Sequence, residues 1–216
     1  LILLVAALED ASPKDNIVIA SFGNGSDALC FQATERISGM ESKRKGIKKQ
    51  LASKSMLSNY QKYVTFRNVI TVEKGMRGET IPWEQVPVVW RNRREILGFV
   101  GSRCKRCGTP QFPIQRVCAN PSCKAIDEME AYRFSDKKGN LFTYTEDSLA
   151  FSLNPPVRYG MIDFDGGGRS LCDLTDCESD DLKVDMPIEM SFRRKFVDEN
   201  RGIYAYCWKA IPVRAQ

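Results

Sequence analysis

Four cysteines in two closely spaced pairs constrain the fold of this 216-residue chain more than any other feature. Cys104 and Cys107 form a C-x2-C pair that is followed by Gly108, and ten residues separate Cys107 from the second pair, Cys118 and Cys123. Each short turn brings two sulfurs to one side of a metal, and four thiolates are a common ligand set for structural Zn²⁺. The spacing therefore predicts a zinc ribbon with Cys104, Cys107, Cys118 and Cys123 as its ligands.

Two other interpretations of these cysteines stay open at this point. Sulfur spacing alone does not distinguish zinc from the iron of a rubredoxin-like site, and four buried free cysteines are the remaining possibility. In either metal site, four thiolates leave no open coordination position, so Lewis-acid catalysis by the metal is not expected.

The other four cysteines do not form a comparable set. Cys172 and Cys177 repeat the spacing of the second pair, but Cys30 and Cys207 are isolated and supply no partner pair. We interpret Cys172 and Cys177 as ordinary strand and loop residues, with a second metal site as the alternative.

The chain has no histidine. This excludes Ser-His-Asp and Cys-His catalysis and all histidine-ligated metal sites, so no catalytic residue is assigned and catalysis by this chain alone is not expected. The apolar start LILLVAAL lacks a basic leader and is shorter than the roughly 20 residues of a spanning helix. We expect a cytoplasmic protein without membrane association, in a compartment where clustered cysteines bind metal rather than form disulfides.

The first third of the chain divides into an apolar part and a basic part. A helix over residues 1–11 is apolar nearly all round, which predicts burial on several sides, and its uncapped start is typical of a piece of something larger. Strands are predicted over Asn16–Phe22 and Ala28–Thr34. A basic linker follows, and a docking helix is indicated by apolar residues at helical spacing, namely Tyr60, Tyr63, Val64 and Phe66.

Two basic clusters have a plain and a functional interpretation. The linker carries six cations without an acid, Lys43, Arg44, Lys45, Lys48, Lys49 and Lys54, although the net charge of the whole chain is only +5. They form a solvated face, or they contact nucleic acid, a CoA phosphate or an acidic partner. The ribbon cations balance the thiolates or contact a phosphate, and they are Arg103, Lys105, Arg106 and Arg116.

The last third of the chain is predicted to form a small β-barrel. Short strands alternate with turn signals and are predicted at Ala131–Ser135, Asn140–Glu146, Tyr159–Phe164, Ser170–Leu174, Ile188–Phe196 and Ile203–Ile211. The final strand places Tyr204, Tyr206 and Trp208 on one face, as barrel core or as a stacking platform. Before the ribbon, Pro87 predicts a short helix through Val89, Trp90 and Arg93, and a strand is predicted over Glu95–Ser102.

The ribbon GSRCKRCGTPQFPIQRVCANPSC, preceded by PVVWRNRREILGFV and followed by the barrel strands, resembles a two-module family associated with acyl-CoA metabolism. Its members pair a rubredoxin-like zinc ribbon with an OB-fold barrel. The resemblance covers about Thr80 to Val213, and NYQKYVTFR is similar to the lead-in segment of such proteins. It implies a structural Zn²⁺ and a non-catalytic accessory subunit in a hetero-oligomer with a thiolase-fold catalytic subunit, with a CoA thioester at the partner interface.

A second resemblance covers Leu1 to about Ile37. The segment SPKDNIVIASFGNGSDALCFQAT, after an apolar helix, resembles the C-terminal end of a thiolase-superfamily enzyme of the hydroxymethylglutaryl-CoA synthase branch. The Phe22-Gly23-Asn24-Gly25 stretch matches the glycine-rich loop between the two final strands of that family. The catalytic elements of the superfamily are missing here, so the resemblance transfers no catalytic residue.

Together these patterns predict an α+β, multi-module chain. We expect a thiolase-like segment at residues 1–37, a basic linker with a docking helix at 38–80, a helix plus zinc ribbon at 81–128, and an OB-fold barrel at 129–216. The predicted function is an accessory subunit of an acyl-CoA thiolase or hydroxymethylglutaryl-CoA synthase complex, acting on acetoacetyl-CoA or an aromatic acylsuccinyl-CoA. The alternatives are the C-terminal part of a fused synthase-like enzyme and an OB-fold nucleic-acid binder, which the acid-rich barrel segment disfavours.

Overall fold

A computed structural model describes residues 2–40, 46–54, 56–70, 72–73, 85–198 and 201–214. The chain divides into two compact units, residues 1–60 with 214–216 and residues 61–213. Lys43, Arg44 and Lys45 of the basic linker lie outside the described residues. No helix in the described stretches combines the length and the apolar character needed to cross a lipid bilayer.

The first unit contains a helix, a β-hairpin and two short helical segments. In chain order these are α1 Ile2–Asp10, β1 Asn16–Phe22, β2 Ser26–Gln32, a 3-10 helix Glu35–Met40 and α2 Ile47–Ala52. The two strands pair antiparallel, with Ile17 opposite Phe31 and Phe22 opposite Ser26. The first strand has the predicted bounds, whereas the second begins two residues earlier than predicted because the hairpin turn is tighter.

Helix α1 corrects the prediction of burial on several sides. It contains no buried residue, and Ile2 and Leu3 are 74% and 78% exposed. Its polar end makes the specific contacts: the Glu9 carboxylate accepts a hydrogen bond of 3.0 Å from the backbone N–H of Lys48 at the start of α2, and Asp10 pairs with the Lys48 ammonium. A carboxylate at a helix N-terminus is favourable because the first N–H groups there lack partners within the helix.

Directly before the zinc ribbon, residues 86–98 form two short helices rather than one helix and the start of a long strand. The elements are α3 Tyr60–Phe66, α4 Val86–Arg91, α5 Arg93–Gly98, and strands β3 Val100–Cys104, β4 Pro110–Gln111 and β5 Met129–Arg133. The prediction of a strand from Glu95 is wrong because α5 continues to Gly98 and Phe99 ends it in the left-handed conformation, with φ of 48°. This turn lets the strand start at Val100. The three strands form one sheet in the order β4-β3-β5.

Five strands build the barrel, and they are β6 Lys138–Asp147, β7 Val157–Phe164, β8 Arg169–Asp173, β9 Pro187–Asp198 and β10 Ile203–Pro212. Their order is β10-β9-β6-β7-β8, and every pair within this sheet is antiparallel. A parallel bridge links Leu174, which directly follows β8, to Ala210 of β10, and so joins the two edges of this sheet. The strand predicted at Ala131–Ser135 is β5, which pairs with β3 in the ribbon sheet.

Ribbon and barrel share one hydrophobic core. Leu141, Ile162 and Ile188 are fully buried inside the barrel, where β7 alternates buried and half-buried residues with the period of two expected for a strand. Phe99 belongs to the same cluster, and its ring lies 4.6 Å from Phe112 of the ribbon and 5.9 Å from Trp208 of β10, between ring centroids. The ribbon is therefore held against the barrel by aromatic packing.

Candidate metal centre

The first cysteine pair lies on a tight turn at the end of β3. The N–H of Gly108 donates to the Cys104 carbonyl over 2.9 Å, and the N–H of Cys104 donates to the Thr109 carbonyl over 3.0 Å. Gly108 has a φ of +76°, which glycine adopts without the steric cost that a side chain would impose. This explains why glycine follows the pair directly.

The second cysteine pair is held by a loop that is fixed by a buried glutamine. The Gln111 side-chain amide donates to the Val117 carbonyl over 2.9 Å, and its oxygen accepts from the N–H of Ala119 over 2.8 Å. Gln111 is 4% exposed, so these two bonds satisfy a polar group that would otherwise be buried without partners. Sequence reasoning missed Gln111, because no local pattern distinguishes it from a surface glutamine.

The structure brings the four predicted cysteines together. Their sulfur atoms all lie within 4.8 Å of one another, with 3.7 Å between the Sγ atoms of Cys104 and Cys123 and 3.5 Å between those of Cys107 and Cys118. Zn–S bonds of about 2.3 Å in a tetrahedron place the sulfurs about 3.8 Å apart. The spacing fits such an ion, and it exceeds the roughly 2.05 Å of a disulfide bond.

The surroundings differ between the sulfurs of this cluster: hydrogen bonds favour the thiolate at Cys107, whereas burial and neighbouring thiols raise the pKa of Cys118 and Cys123. The Thr109 hydroxyl lies 3.1 Å from Cys107 Sγ, and this contact lowers the pKa of Cys107 to about 6. The N–H of Asn120 donates to Cys118 Sγ over 3.4 Å. Cys104 and Cys118 are buried, while Cys107 is exposed. Hydrogen bonds to sulfur stabilise the charged form that a metal requires.

The arginines of the ribbon are paired with acids. Arg103 pairs with Glu130. Arg106 Nη2 lies 2.5 Å from Glu128 Oε1, and Arg116 Nε lies 2.6 Å from Asp127 Oδ1. The Arg116 guanidinium also holds the pKa of the Asp127 carboxyl below its usual value. Because carboxylates already neutralise these three guanidinium groups, the ion pairs disfavour a phosphate site at them.

Cys172 and Cys177 are buried residues of the barrel core. Burial raises the pKa of both thiols to about 11, so they are protonated at neutral pH. Across the parts of the chain that the structure describes, the only set of three or more Cys, Asp or Glu side chains whose ligand atoms cluster for a metal ion is the ribbon set.

Two models of the ChsH2 family match adjacent stretches of the chain. The rubredoxin-like zinc ribbon domain matches residues 94–130, and the C-terminal OB-fold domain matches residues 132–193. These matches confirm the predicted α+β fold with a zinc ribbon and an OB-fold. The ribbon match and the clustered sulfurs together support a structural zinc.

Curated relatives match 57–60% of the chain. A DUF35 domain-containing scaffold protein from Methanocaldococcus jannaschii is 32% identical over 127 residues, which is 57% of this chain and 88% of that protein. Its counterpart from Pyrococcus furiosus is 29% identical over 132 residues, 60% of this chain and 93% of that protein. A solved structure, the Ltp2-ChsH2(DUF35) aldolase, aligns with a TM-score of 0.42 and 16% identity, over 62% of this chain and 98% of the matched chain. The chain therefore belongs to the DUF35 family and carries both a rubredoxin-like zinc ribbon domain and an OB-fold domain.

Proposed function

We propose that Cys104, Cys107, Cys118 and Cys123 bind one Zn²⁺ that serves only to hold the ribbon in shape. The sulfur spacing carries this proposal, since the side chains already lie at the separations of a tetrahedral site. A bound zinc supplies rigidity and no open coordination position. Elemental analysis of the purified chain is expected to give one zinc per chain, and an iron content of one per chain would contradict the assignment.

We further propose that the chain is a non-catalytic scaffold for an acyl-CoA enzyme with a thiolase fold. Its relatives in three archaea are named scaffold proteins. The absence of histidine from the sequence removes the commonest general base at neutral pH. Ribbon and barrel share a core, so they present a rigid body on which a catalytic chain can dock. The acyl substrate expected from the sequence resemblance is acetoacetyl-CoA or an aromatic acylsuccinyl-CoA.

The β1–β2 hairpin supports docking through the first unit. Its directly paired residues place Ile17, Ile19, Leu29 and Phe31 on one face, and Val18, Ala20, Phe22, Ala28 and Cys30 on the other. A ribbon that is apolar on both faces is typical of strands covered on both sides within a layered α/β sheet. Phe22 is nevertheless 92% exposed, and every residue of β2 is exposed. We propose that residues 1–37 pack into the sheet of a thiolase-fold chain, with 38–80 as linker and docking helix, 81–128 as helix plus ribbon and 129–216 as barrel.

Co-expression tests this docking. A thiolase-fold chain from the same genome is expected to co-elute with the wild-type protein in size-exclusion chromatography. This co-elution is expected to disappear with the Phe22→Asp variant. Gln32→Asp, which adds the same charge at an exposed polar position of the same hairpin, is the matched control and is expected to co-elute. Co-elution of the Phe22→Asp variant with the thiolase-fold chain would contradict a role of the hairpin in the interface. A thiolase-fold chain that is fully active and elutes alone would contradict the scaffold function.

The same hairpin also supports a second candidate function. Residues 1–37 can be the last elements of a thiolase-fold domain in one polypeptide, as in a fused synthase-like enzyme. The unburied α1 favours this arrangement, because an apolar helix is stable in water only when its faces are covered. Coding DNA upstream of Leu1 distinguishes the two cases: an open frame encoding a cysteine nucleophile supports the fusion, and an in-frame stop excludes it.

A further inference from the structure

The backbone hydrogen bonds of the β1–β2 hairpin show which groups of each strand point away from the other strand. At one end of the hairpin the N–H of Ala33 donates to the Asp15 carbonyl over 2.9 Å, and at the other end the N–H of Gly23 donates to the Gly25 carbonyl over 2.8 Å. Hydrogen-bonded and non-hydrogen-bonded pairs alternate along an antiparallel ladder. The odd-numbered residues of both strands therefore bond across the hairpin, and the even-numbered residues direct their N–H and carbonyl groups outward.

The outward backbone groups along β1 belong to Val18, Ala20 and Phe22. Among the strands that the structure describes, β1 pairs only with β2. Within the described residues, no hydrogen bond reaches the outward N–H and carbonyl groups of these three residues. A strand edge with a row of unpaired N–H and carbonyl groups is a template for pairing with a further strand.

The two edges of the hairpin differ in their side chains. Natural proteins protect exposed edge strands with charged residues or proline. Strand β2 carries the charged Asp27 and ends at the polar Gln32. Strand β1, NIVIASF, contains neither a charge nor a proline, and residues 17–20 form an unbroken apolar run. Such a run is typical of a strand that is buried on both faces inside a sheet. The sequence of β1 therefore suits an interior strand, and that of β2 suits an edge.

We infer that a strand of the thiolase-fold partner adds to the free edge of β1 and forms backbone hydrogen bonds with Val18, Ala20 and Phe22. This inference rests on the docking of residues 1–37 proposed above and specifies how that docking occurs. Packing both faces of the hairpin into another chain takes the β1 edge out of water, and buried N–H and carbonyl groups without partners are costly. A strand of the partner satisfies the whole row of them, and β2 becomes the edge of the joint sheet.

A second copy of the hairpin fits this edge less well than a thiolase-fold chain does. Two hairpins joined edge to edge would share backbone hydrogen bonds, but both faces of the resulting four-stranded sheet would keep apolar side chains in water. One of these is Phe22, which is 92% exposed. A layered α/β chain supplies a strand for the edge and helices for the faces. The apolar faces of the hairpin therefore favour a partner whose sheet is covered by helices.

Ala20 and Ala28 provide a matched pair of variants. They are direct partners across the hairpin, and each directs its N–H outward, Ala20 at the β1 edge and Ala28 at the β2 edge. Proline lacks the N–H and is tolerated at a free strand edge but not inside a sheet. The affinity of the full chain for a thiolase-fold chain from the same genome is measured by biolayer interferometry. Ala20→Pro is expected to weaken binding at least about tenfold, and Ala28→Pro is expected to stay within about twofold of wild type.

Hydrogen exchange of the wild-type complex gives a second measurement that does not depend on how the proline variants fold. The amide protons of Val18, Ala20 and Phe22 are expected to exchange more slowly in the complex than in the free chain, because the partner strand accepts hydrogen bonds from that edge. The outward amide protons of Ala28 and Cys30 are expected to change less. Site-resolved mass spectrometry distinguishes the two sets.

Slower exchange along β1 together with weaker binding of Ala20→Pro supports the strand addition. Equal losses of affinity in the two proline variants, a larger loss with Ala28→Pro, or no slowing of exchange along β1 would overturn it. A dimer of the isolated wild-type chain that Ala20→Pro converts to a monomer would also overturn it, because the edge would then pair with a second copy.

Failure of the strand addition is distinct from failure of the scaffold function. If wild type and both proline variants bind the thiolase-fold chain with equal affinity, the strand addition is refuted and the scaffold function stands. If wild type does not bind, the scaffold function is refuted, and the strand addition is refuted with it.

Discussion

The indole N–H of Trp208, on the last strand of the barrel, donates a hydrogen bond of 3.0 Å to the backbone carbonyl of Leu97, in the helix that leads into the zinc ribbon. The same indole stacks on Phe99, with an interplanar angle of 22°. These two contacts fix the entrance of the ribbon on the barrel. The ribbon and the barrel are therefore expected to unfold as one cooperative unit rather than as two independent domains.

Replacing Trp208 by Phe tests that coupling. The variant keeps an aromatic ring but removes the hydrogen bond to Leu97, and we expect a loss of about 1 kcal/mol in the free energy of unfolding. Wild type is expected to unfold in denaturant with one transition for residues 61–213, seen equally by tryptophan fluorescence and by zinc release. Two separated transitions in the wild-type protein would contradict the shared core.

Gln111 is expected to control how tightly the ribbon holds its metal. Gln111→Ala removes both hydrogen bonds that fix the loop on either side of Cys118, and loss of such supporting partners costs about 10–100-fold in metal affinity. Competition with a chromophoric chelator measures the change. Gln115→Ala is the control, because Gln115 is exposed and its hydrogen bond to the Ser102 hydroxyl comes from the backbone N–H, which the substitution keeps. Equal zinc affinity of both variants would exclude this role for Gln111.

An ion pair of the barrel predicts a loss of stability in acid. Arg158 is buried, with its side chain 6% exposed, and its Nε lies 2.8 Å from Glu146 Oε1. A hydrogen bond from Ser179 and then the Arg158 guanidinium lower the pKa of Glu146 below its usual 4.5. Its contribution to stability is therefore fully present above that value and disappears as the pH falls through the lowered pKa. At pH 7, the free energy of unfolding is expected to be larger for wild type than for Glu146→Gln. This difference is expected to shrink as the pH falls below 4.5. A difference in free energy of unfolding that does not change with pH would contradict the stabilising role of ionised Glu146.

Thiol labelling separates the three environments of cysteine. Cys172 and Cys177 have pKa values of about 11 and are buried, so iodoacetamide is expected to spare them in the folded protein at pH 7.5. Cys30 is exposed and is expected to react. The four ribbon cysteines are expected to react only after a chelator removes the metal. Mass spectrometry locates the labels, and modification of Cys172 as fast as Cys30 would place it outside the core.

The elements with strong local signals could be predicted from the sequence. The cysteine spacing gave the ribbon and the alternation of apolar residues gave the barrel strands, because both patterns depend on neighbouring residues. Features that depend on distant contacts could not be predicted in this way. The left-handed Phe99 exists because its ring packs on Phe112 and Trp208, and the role of Gln111 depends on a loop that only the folded ribbon brings near. Helix α1 forms close to its predicted bounds, but its predicted burial failed because its apolar faces have no cover within this unit.

We expect the four ribbon sulfurs to hold one structural zinc. X-ray absorption spectroscopy at the zinc edge tests it most directly on the purified chain. We expect four sulfur neighbours at about 2.3 Å and no nitrogen or oxygen neighbour. A mixed shell with an oxygen ligand, or a protein that holds no zinc at all, would contradict it.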